Sequence, residues 1–340
     1  MVENKEQDGD EEHAPEPFGG EEALELARQG KDAWNTWAEE NPGRKVNFIE
    51  VNFTAEENKD ISFQGFTFPG EVFFSRAKFQ SIFFSGAVFK GEANFIETTF
   101  RQGVWFTEAA FKGMAYFTTA SFDDVAGFSR ATFEGNALFT GSMFSGVLDL
   151  HGSHFRTVPD FRGTDFKKHL TLNRMEVDFR LPTTDIDADM YRRIKELAVA
   201  ARDHDRAQMF FAYELMAKRG HETRGLALVP NYLYGWFGGF GRSLRRPSAW
   251  LIGVWFGFGV LYRGLASKDS SHLLDGLLFS SAQLFPFLGA SKGALGDAKA
   301  ALFGNAALEA GVNALGMLEG GLGILFLFLI GLALRNRFRI

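Results

Sequence analysis

A column of phenylalanines with a fixed period constrains this chain more than any other feature. Between Val46 and Val177, phenylalanine recurs at steps that alternate between five and six residues. A helix has a period of 3.6 and a strand a period of two, so neither explains this spacing. A short unit that repeats at a fixed interval indicates a solenoid, in which each unit stacks on the next. The phenylalanines predicted to fill the solenoid core are Phe84, Phe89, Phe95, Phe100, Phe106, Phe111, Phe117, Phe122, Phe128, Phe133, Phe139 and Phe144.

The residue two positions before each phenylalanine is small or aliphatic, as with Ala93 before Phe95 and Val104 before Phe106. This pattern resembles the Phe-rich variant of the pentapeptide-repeat family. The resemblance implies a right-handed quadrilateral parallel β-helix over 46–179, in which each short step forms one side of a square coil. Steps of five, six, five and six residues give 22 residues per coil, so the repeat holds about six coils. The phenylalanines and the small residues would then point to the coil axis, and the polar residues outward.

Several segments before and within the repeat are predicted to be irregular. Residues 1–20 are acidic and lack an apolar period, so we expect a disordered tail. An amphipathic helix over 21–43, with a break at Gly30, is expected to cap the open end of the solenoid. At 56–60 a polar run (EENKD) replaces one step of the repeat, and 72–81 is one residue shorter than the usual unit. We therefore expect a bulge or loop at 54–60.

The repeat is followed by a predicted helical connector at 186–220. Apolar residues at helical spacing indicate two helices, separated by a polar turn around His204. The pair resembles a single tetratricopeptide-like unit. Such a unit cannot bury its own apolar face, so it must pack on the last coil or on a membrane surface.

The last part of the chain, 226–340, is predicted to be a membrane domain with two α-helical spans, at about 247–266 and 312–334. A shorter apolar segment at about 273–288 is expected to be a re-entrant or interfacial helix. Trp236, Trp250 and Tyr262 are expected at the membrane interfaces. Arginines precede the first span and follow the second, which predicts that both of these ends are cytoplasmic.

The order of span, short helix and span resembles the plan of two-span ion channels. The intervening loop, 285–291 (FPFLGAS), lacks the paired glycines of a potassium filter, so the resemblance extends only to topology. Glu319 is an ionisable residue in the second span, and it is either a functional group at membrane depth or an interfacial residue. The other candidate pore or packing residues are Gln283, Pro286 and Gly289. Two small-xxx-small patterns, Gly253–Gly257 and Gly316–Gly320, fit either packing within the chain or an oligomer.

The composition argues against several classes of function. The chain has no cysteine, which excludes disulfides, thiolate metal ligands and a thiol nucleophile. No phosphate-binding loop, zinc-protease motif or nucleophile elbow occurs, so we predict no enzyme activity, no cofactor and no metal. His151 and His154 are expected to be ordinary surface residues. The outward face of the repeat mixes acidic and basic side chains, which disfavours DNA mimicry and nucleic-acid binding.

These features together predict an integral, multi-pass protein of a bacterial-type inner membrane, with both termini in the cytoplasm. We expect a non-enzymatic scaffold or sensor whose cytoplasmic solenoid binds a protein partner that the sequence does not identify. The alternative is a channel-like pore formed by a homo-oligomer, without a potassium-type filter and regulated by the solenoid.

Overall fold

A computed structural model describes residues 16–178, 186–219, 221–266, 272–285, 291–304 and 310–338. The chain divides into two compact units, 1–217 and 218–340. Residues 1–15 of the predicted tail lie outside the described residues. Phe18–Gly19, at the end of that predicted tail, forms strand β1 and pairs in parallel with Val46–Asn47. Ordered structure therefore begins before position 21.

The first unit is a parallel β-solenoid, as the repeat predicts. Its two-residue strands are separated by turns and pair in parallel into four sheets. The first sheet contains β1 Phe18–Gly19, β2 Val46–Asn47, β4 Val72–Phe73, β8 Ala93–Asn94, β12 Ala115–Tyr116 and β16 Ala137–Leu138. The second contains β6 Ile82–Phe83, β10 Val104–Trp105, β14 Ala126–Gly127, β18 Leu148–Asp149 and β21 Leu170–Thr171.

The two remaining sheets close the four-sided coil. The third contains β3 Thr67–Phe68, β7 Val88–Phe89, β11 Ala110–Phe111, β15 Thr132–Phe133, β19 His154–Phe155 and β22 Glu176–Val177. The fourth contains β5 Lys78–Phe79, β9 Thr99–Phe100, β13 Ser121–Phe122, β17 Met143–Phe144 and β20 Asp165–Phe166. Val104 pairs with Ala126, so one coil takes 22 residues. The predicted parallel β-helix of about six coils is therefore confirmed.

Phenylalanine rings fill the axis of the coils. Each of the twelve predicted core phenylalanines is at most 1% exposed. A ring stacks on its equivalent one coil away, as Phe106 does on Phe128 with centroids 4.8 Å apart and planes 7° apart. Neighbouring columns meet edge to face, as Phe117 and Phe128 do. Rings packed in both ways gain contact energy beyond the burial of their area, which stabilises a core that is one coil wide.

A column of glycines lets successive coils approach closely at one corner. Gly70, Gly91, Gly113 and Gly135 occupy equivalent positions in four coils. A Cβ atom added to Gly113 would lie 2.5 Å from the backbone of Gly91. No side chain larger than hydrogen fits there without moving one of the coils.

The two irregularities predicted inside the repeat both appear in the strand register. Val46 pairs with Val72, 26 positions later, because the turns at 54–60 add residues to that coil. Val72 pairs with Ala93, 21 positions later, as expected for the shorter unit. The long loop packs against the N-terminal cap, where the Arg28 guanidinium donates to the Glu57 carbonyl at 3.2 Å.

Two helices cover the first coil. Helix α1 spans Gly20–Arg28 and α2 spans Lys31–Glu40, and Gly30 between them has a φ of +89°. Trp34 on α2 is fully buried, donates to the Thr67 carbonyl at 3.0 Å and stacks on Phe66. The indole lies over the N-terminal end of the axis and shields the first phenylalanine rings from water.

A helical hairpin covers the last coils. Helix α3 spans Ile186–Ala200 and α4 spans His204–Ala217. Arg193 donates to the carbonyls of Phe161 and Thr164, and Arg206 donates to the carbonyl of Met175. The hairpin therefore hydrogen-bonds to the backbone at the end of the solenoid, and of the two surfaces expected to receive it, it packs on the coil.

The second unit is helical. Its α-helices are α5 Leu228–Gly238, α6 Arg245–Gly264, α7 Leu273–Leu284, α8 Ser291–Phe303 and α9 Ala310–Arg337, with short 3-10 turns at Gly225–Ala227 and Gly239–Gly241. In the described part of the chain, α9 is the one helix that is long and apolar enough to cross a membrane. The other predicted span, 247–266, falls mostly on α6.

Candidate functional site: a buried carboxyl among three helices

The sequence places Glu319 in an apolar helix but does not decide whether its carboxyl is buried or lies at an interface. Its side chain is 0% exposed, so it lies inside the unit and not at an interface. The Tyr262 hydroxyl on α6 donates to one carboxyl oxygen at 2.9 Å. The Ser280 hydroxyl on α7 is hydrogen-bonded to the other oxygen. Three helices therefore bring their polar side chains to one buried point.

Two glycines bring α6 and α7 close enough for this arrangement. A Cβ atom added to Gly276 would lie 2.2 Å from the carbonyl oxygen of Gly259, and one added to Gly259 would meet the side chain of Leu277. Only glycine allows the two backbones to touch there. Tyr262 follows Gly259 by three positions and Ser280 follows Gly276 by four, so each lies one helical turn further along the contact.

Hydrogen-bond accounting favours a neutral carboxyl. The Ser280 hydroxyl has one proton and lies 2.9 Å from the Trp255 carbonyl as well as against Glu319. A protonated Glu319 donates to Ser280, accepts from Tyr262, and leaves the Ser280 proton for Trp255. Every buried group then has a partner, and no uncompensated charge is buried.

Gln283 packs beside this cluster on the same face of α7. A Cβ atom added to Gly316 would lie 3.1 Å from the Gln283 amide, and one added to Gly320 would lie 3.4 Å from the Gln283 carbonyl. The Gly316–Gly320 pattern thus serves packing within the chain. Pro286 and Gly289, the other two predicted residues, lie outside the described residues.

The second small-residue pattern has a different environment. A Cβ atom added to Gly253 or Gly257 would meet nothing within 4 Å. Both glycines lie on an exposed stripe of α6 with Ile252, Phe256 and Val260, whose side chains are between 46% and 62% exposed. Gly259 on the adjoining face, and not this pair, makes the helix contact within the unit.

Sequence reasoning singled out Glu319 and missed its partners. Tyr262 was expected at a membrane interface, and its side chain is 0% exposed and packs on Phe279 inside the unit. Ser280 carried no motif. The available signal was the pair of glycines that precede Tyr262 and Ser280 by about one helical turn.

The solenoid presents a different kind of surface. Its charged side chains pair between coils, as Arg130 does with Glu108 at 2.7 Å. On the second sheet, Phe83 is 43% exposed and stacks on Trp105 with centroids 4.6 Å apart. A cavity of about 880 Å³ lies beside the cap and the first coils, and both polar and apolar residues line it, including Arg28, Ile61 and Glu108.

Histidines and acidic residues form no cluster with the geometry of a metal site in the part of the chain that the structure describes. His154 contacts the Asp178 carboxylate at 3.0 Å, on the surface of the third sheet. Asp203 accepts from the backbone N–H of Arg206 and caps α4, so the polar turn between the two hairpin helices has a structural role.

Comparison with known proteins bears on the solenoid. A family model for pentapeptide repeats in nine copies matches residues 63–109 and 95–143. The matched residues all lie in the four-sheet coil, which is therefore a pentapeptide-repeat β-solenoid. No curated protein and no solved structure matches the chain.

Proposed function

We propose that this protein is an integral membrane protein whose pentapeptide-repeat solenoid acts as a non-enzymatic cytoplasmic scaffold or sensor. The observation that carries the membrane proposal is the inverted polarity of the second unit. The outward side chains of α9 include Met317 at 80% and Phe328 at 65% exposure, whereas the carboxyl of Glu319 is buried. Water does not stabilise that distribution, but a hydrocarbon environment does.

The same argument supports α6 as another membrane span, the first of the two in chain order. This helix has 20 residues, which corresponds to about 30 Å, the thickness of a hydrocarbon core. Its outward side chains after Arg246 are apolar or glycine; they are Ala249, Ile252, Gly253, Phe256, Gly257, Val260, Leu261, Gly264 and Leu265. The arginines at the start of α6 and the end of α9 favour a cytoplasmic location for both ends.

A scaffold role follows from the form of the solenoid surface. Most phenylalanines of the repeat lie in the core, and several charged side chains pair between coils, as Arg130 does with Glu108. The exposed Phe83–Trp105 pair is a rigid aromatic surface of the kind that anchors protein interfaces. We therefore assign partner binding to the second sheet around these two rings.

The chain has no cysteine, so single cysteines report topology without a background signal. We expect an impermeant maleimide to label Leu265→Cys in intact cells. Gln102→Cys on the solenoid and Phe338→Cys after α9 should react only after permeabilisation. Labelling of Gln102→Cys in intact cells would contradict the cytoplasmic solenoid, and release of the whole protein by alkaline carbonate would contradict membrane insertion.

A photo-crosslinking residue at position 83 tests the partner site. We expect a discrete adduct in cells, which disappears when Trp105 is changed to Ala and persists when Lys90, an exposed residue that follows β7 of the third sheet, is changed to Ala. An adduct that is unaffected by Trp105→Ala would count against this face.

A channel-like oligomeric pore is the second candidate. The smooth, unpartnered surface at Gly253 and Gly257 favours it, because a second copy could approach closely there. Ion flux through reconstituted vesicles tests this alternative. We expect Gly253→Leu with Gly257→Leu to abolish flux if the pore exists, and an absence of flux in the unaltered protein argues against a pore.

A further inference from the structure

Helix α5 has an exposed face whose polarity is the reverse of that of a helix in water. Its outward side chains are apolar, and they recur at helical spacing from the preceding 3-10 turn onward. They are Leu226 at 89%, Val229 at 51%, Tyr232 at 54%, Leu233 at 41% and Trp236 at 61% exposure. Spacings of three, four and seven residues place them on one side of the helix.

The opposite side of α5 is held firmly against the rest of the unit. The Phe237 ring packs on Trp250 and Phe326, with centroids 5.2 and 5.3 Å away. The Arg219 guanidinium also donates to the Asn231 side chain of α5 at 2.8 Å. The apolar face therefore points outward because the other face is packed against the unit. Rotating the helix about its axis would not bury the apolar face without breaking those contacts.

Arginines gather at the same end of the unit. Asn336, between Arg335 and Arg337, donates to the Gly241 carbonyl, which joins the end of α9 to the turn after α5. Burial raises the pKa of the Tyr234 phenol, and the nearby charge of Arg335 opposes that rise. Arg246 donates to the Gly235 carbonyl of α5 at 3.2 Å.

We define the arginine cluster as Arg242, Arg245, Arg246, Arg335 and Arg337. All five side chains are exposed. None of the five forms an ion pair with an acidic residue in the described ranges of the second unit, 218–219, 221–266, 272–285, 291–304 and 310–338. The cluster therefore presents uncompensated positive charge beside an apolar helix face that contains Trp and Tyr.

We propose that α5 and the arginine cluster form a docking surface for the headgroup layer of acidic phospholipids. An apolar face needs acyl chains or other apolar atoms, and the adjoining guanidinium groups need phosphate oxygens, which they bind bidentately. The interface of a bilayer that contains anionic lipid offers both within a few ångströms. The proposal rests on the membrane insertion proposed above and adds the lipid class that the inserted protein selects.

Brominated lipids test this selection, because Trp236 and Trp250 lie beside the cluster and bromine quenches tryptophan fluorescence on contact. The full chain is reconstituted in vesicles of mixed phosphatidylglycerol and phosphatidylcholine, with the bromine on one lipid or the other. The two quenching curves give the relative binding constant of the two lipids at the protein surface. We expect phosphatidylglycerol to be preferred several-fold over phosphatidylcholine. Because Trp236→Phe removes the quenched ring on α5, it should reduce the quenchable signal.

The variant Arg242→Gln/Arg245→Gln/Arg337→Gln should lower the relative constant to about one. The matched control, Arg76→Gln/Arg101→Gln/Arg156→Gln on the solenoid, removes the same charge and should leave the constant unchanged. Circular dichroism and size-exclusion chromatography of both variants establish that they fold. In 1 M NaCl the preference of the unaltered protein should also fall, because exposed charges are screened.

Three results would overturn the proposal. A relative constant of one for the unaltered protein removes the lipid selectivity while leaving insertion intact. Loss of the preference on addition of millimolar inorganic phosphate indicates a site for a soluble anion and not a lipid surface. If neither lipid quenches Trp236 while the protein remains in the membrane, a protein or a second copy covers α5. Flotation measures whether the protein stays with the vesicles. Recovery of the protein outside them would contradict the proposed membrane insertion itself.

Discussion

The hydroxyl of Tyr262 donates a 2.9 Å hydrogen bond to the carboxyl of Glu319, which lies 57 positions further along the chain. Both side chains are fully buried, and Ser280 completes the cluster from a third helix. A carboxyl in such a place costs stability if it is charged and has no cationic partner, so the surrounding hydroxyl groups decide what the protein tolerates there.

The first prediction concerns this carboxyl. Glu319→Gln keeps an acceptor for Tyr262 and a donor for Ser280, and it should change the free energy of unfolding by less than about 0.5 kcal/mol. Glu319→Leu leaves the Tyr262 hydroxyl buried without an acceptor and should cost about 1–3 kcal/mol. Thermal unfolding in detergent measures both, with the exposed Met317→Leu as control. An equal loss for Gln and Leu would mean that the ionised form is required.

The second prediction concerns the ring stack. Phe128→Asp places a charge in a core that is one coil wide, between the rings of Phe106 and Phe139, and should unfold several coils. The β-signal in circular dichroism should fall and its melting temperature should drop. Gln102→Asp, at an exposed position, should leave both unchanged. Wild-type unfolding of Phe128→Asp would refute the inward assignment.

The third prediction concerns the close approach of coils at the glycine column. Gly113→Ala adds a Cβ atom 2.5 Å from the backbone of Gly91, which forces the two coils apart. We expect a loss of about 1–3 kcal/mol, the usual cost of overpacking. Denaturant unfolding measures it. Gln80→Ala, at an exposed position, should cost little, and an equal loss in the two variants would show that the contact at Gly113 is unimportant.

The fourth prediction concerns pH. Burial alone would raise the pKa of Asp160, but hydrogen bonds from Arg162 and Thr140 outweigh it and lower the pKa below its usual value. A lowered folded-state pKa stabilises the fold above the unfolded pKa of about 4, and this contribution disappears as the pH falls through the folded value. Asp160→Asn should therefore be less stable than the wild type at pH 7, and the difference should shrink toward pH 2. A difference in melting temperature that is constant across this range would contradict it.

Some parts of this structure follow from local pattern. Each coil repeats the same short sequence pattern, so the period of Phe84 to Phe144 already contains the strand spacing and the inward face. The break in the repeat at 54–60 marks the loop. The hairpin over 186–217 follows from helical spacing in the same way. Glu319 was recognisable because an ionisable residue is rare in an apolar helix.

Other parts depend on contacts between residues that are far apart in sequence. The amino-acid sequence alone determined the parallel solenoid and its core, because their information lies within one or two repeats. Three features became visible only in the folded chain: Tyr262 and Ser280 meet Glu319, position 113 requires glycine, and α5 turns its apolar side outward. The physical reason is that helix crossings and coil contacts are set by which backbones can approach. Whether two backbones can approach depends on both segments together, and the sequence of one segment does not encode it.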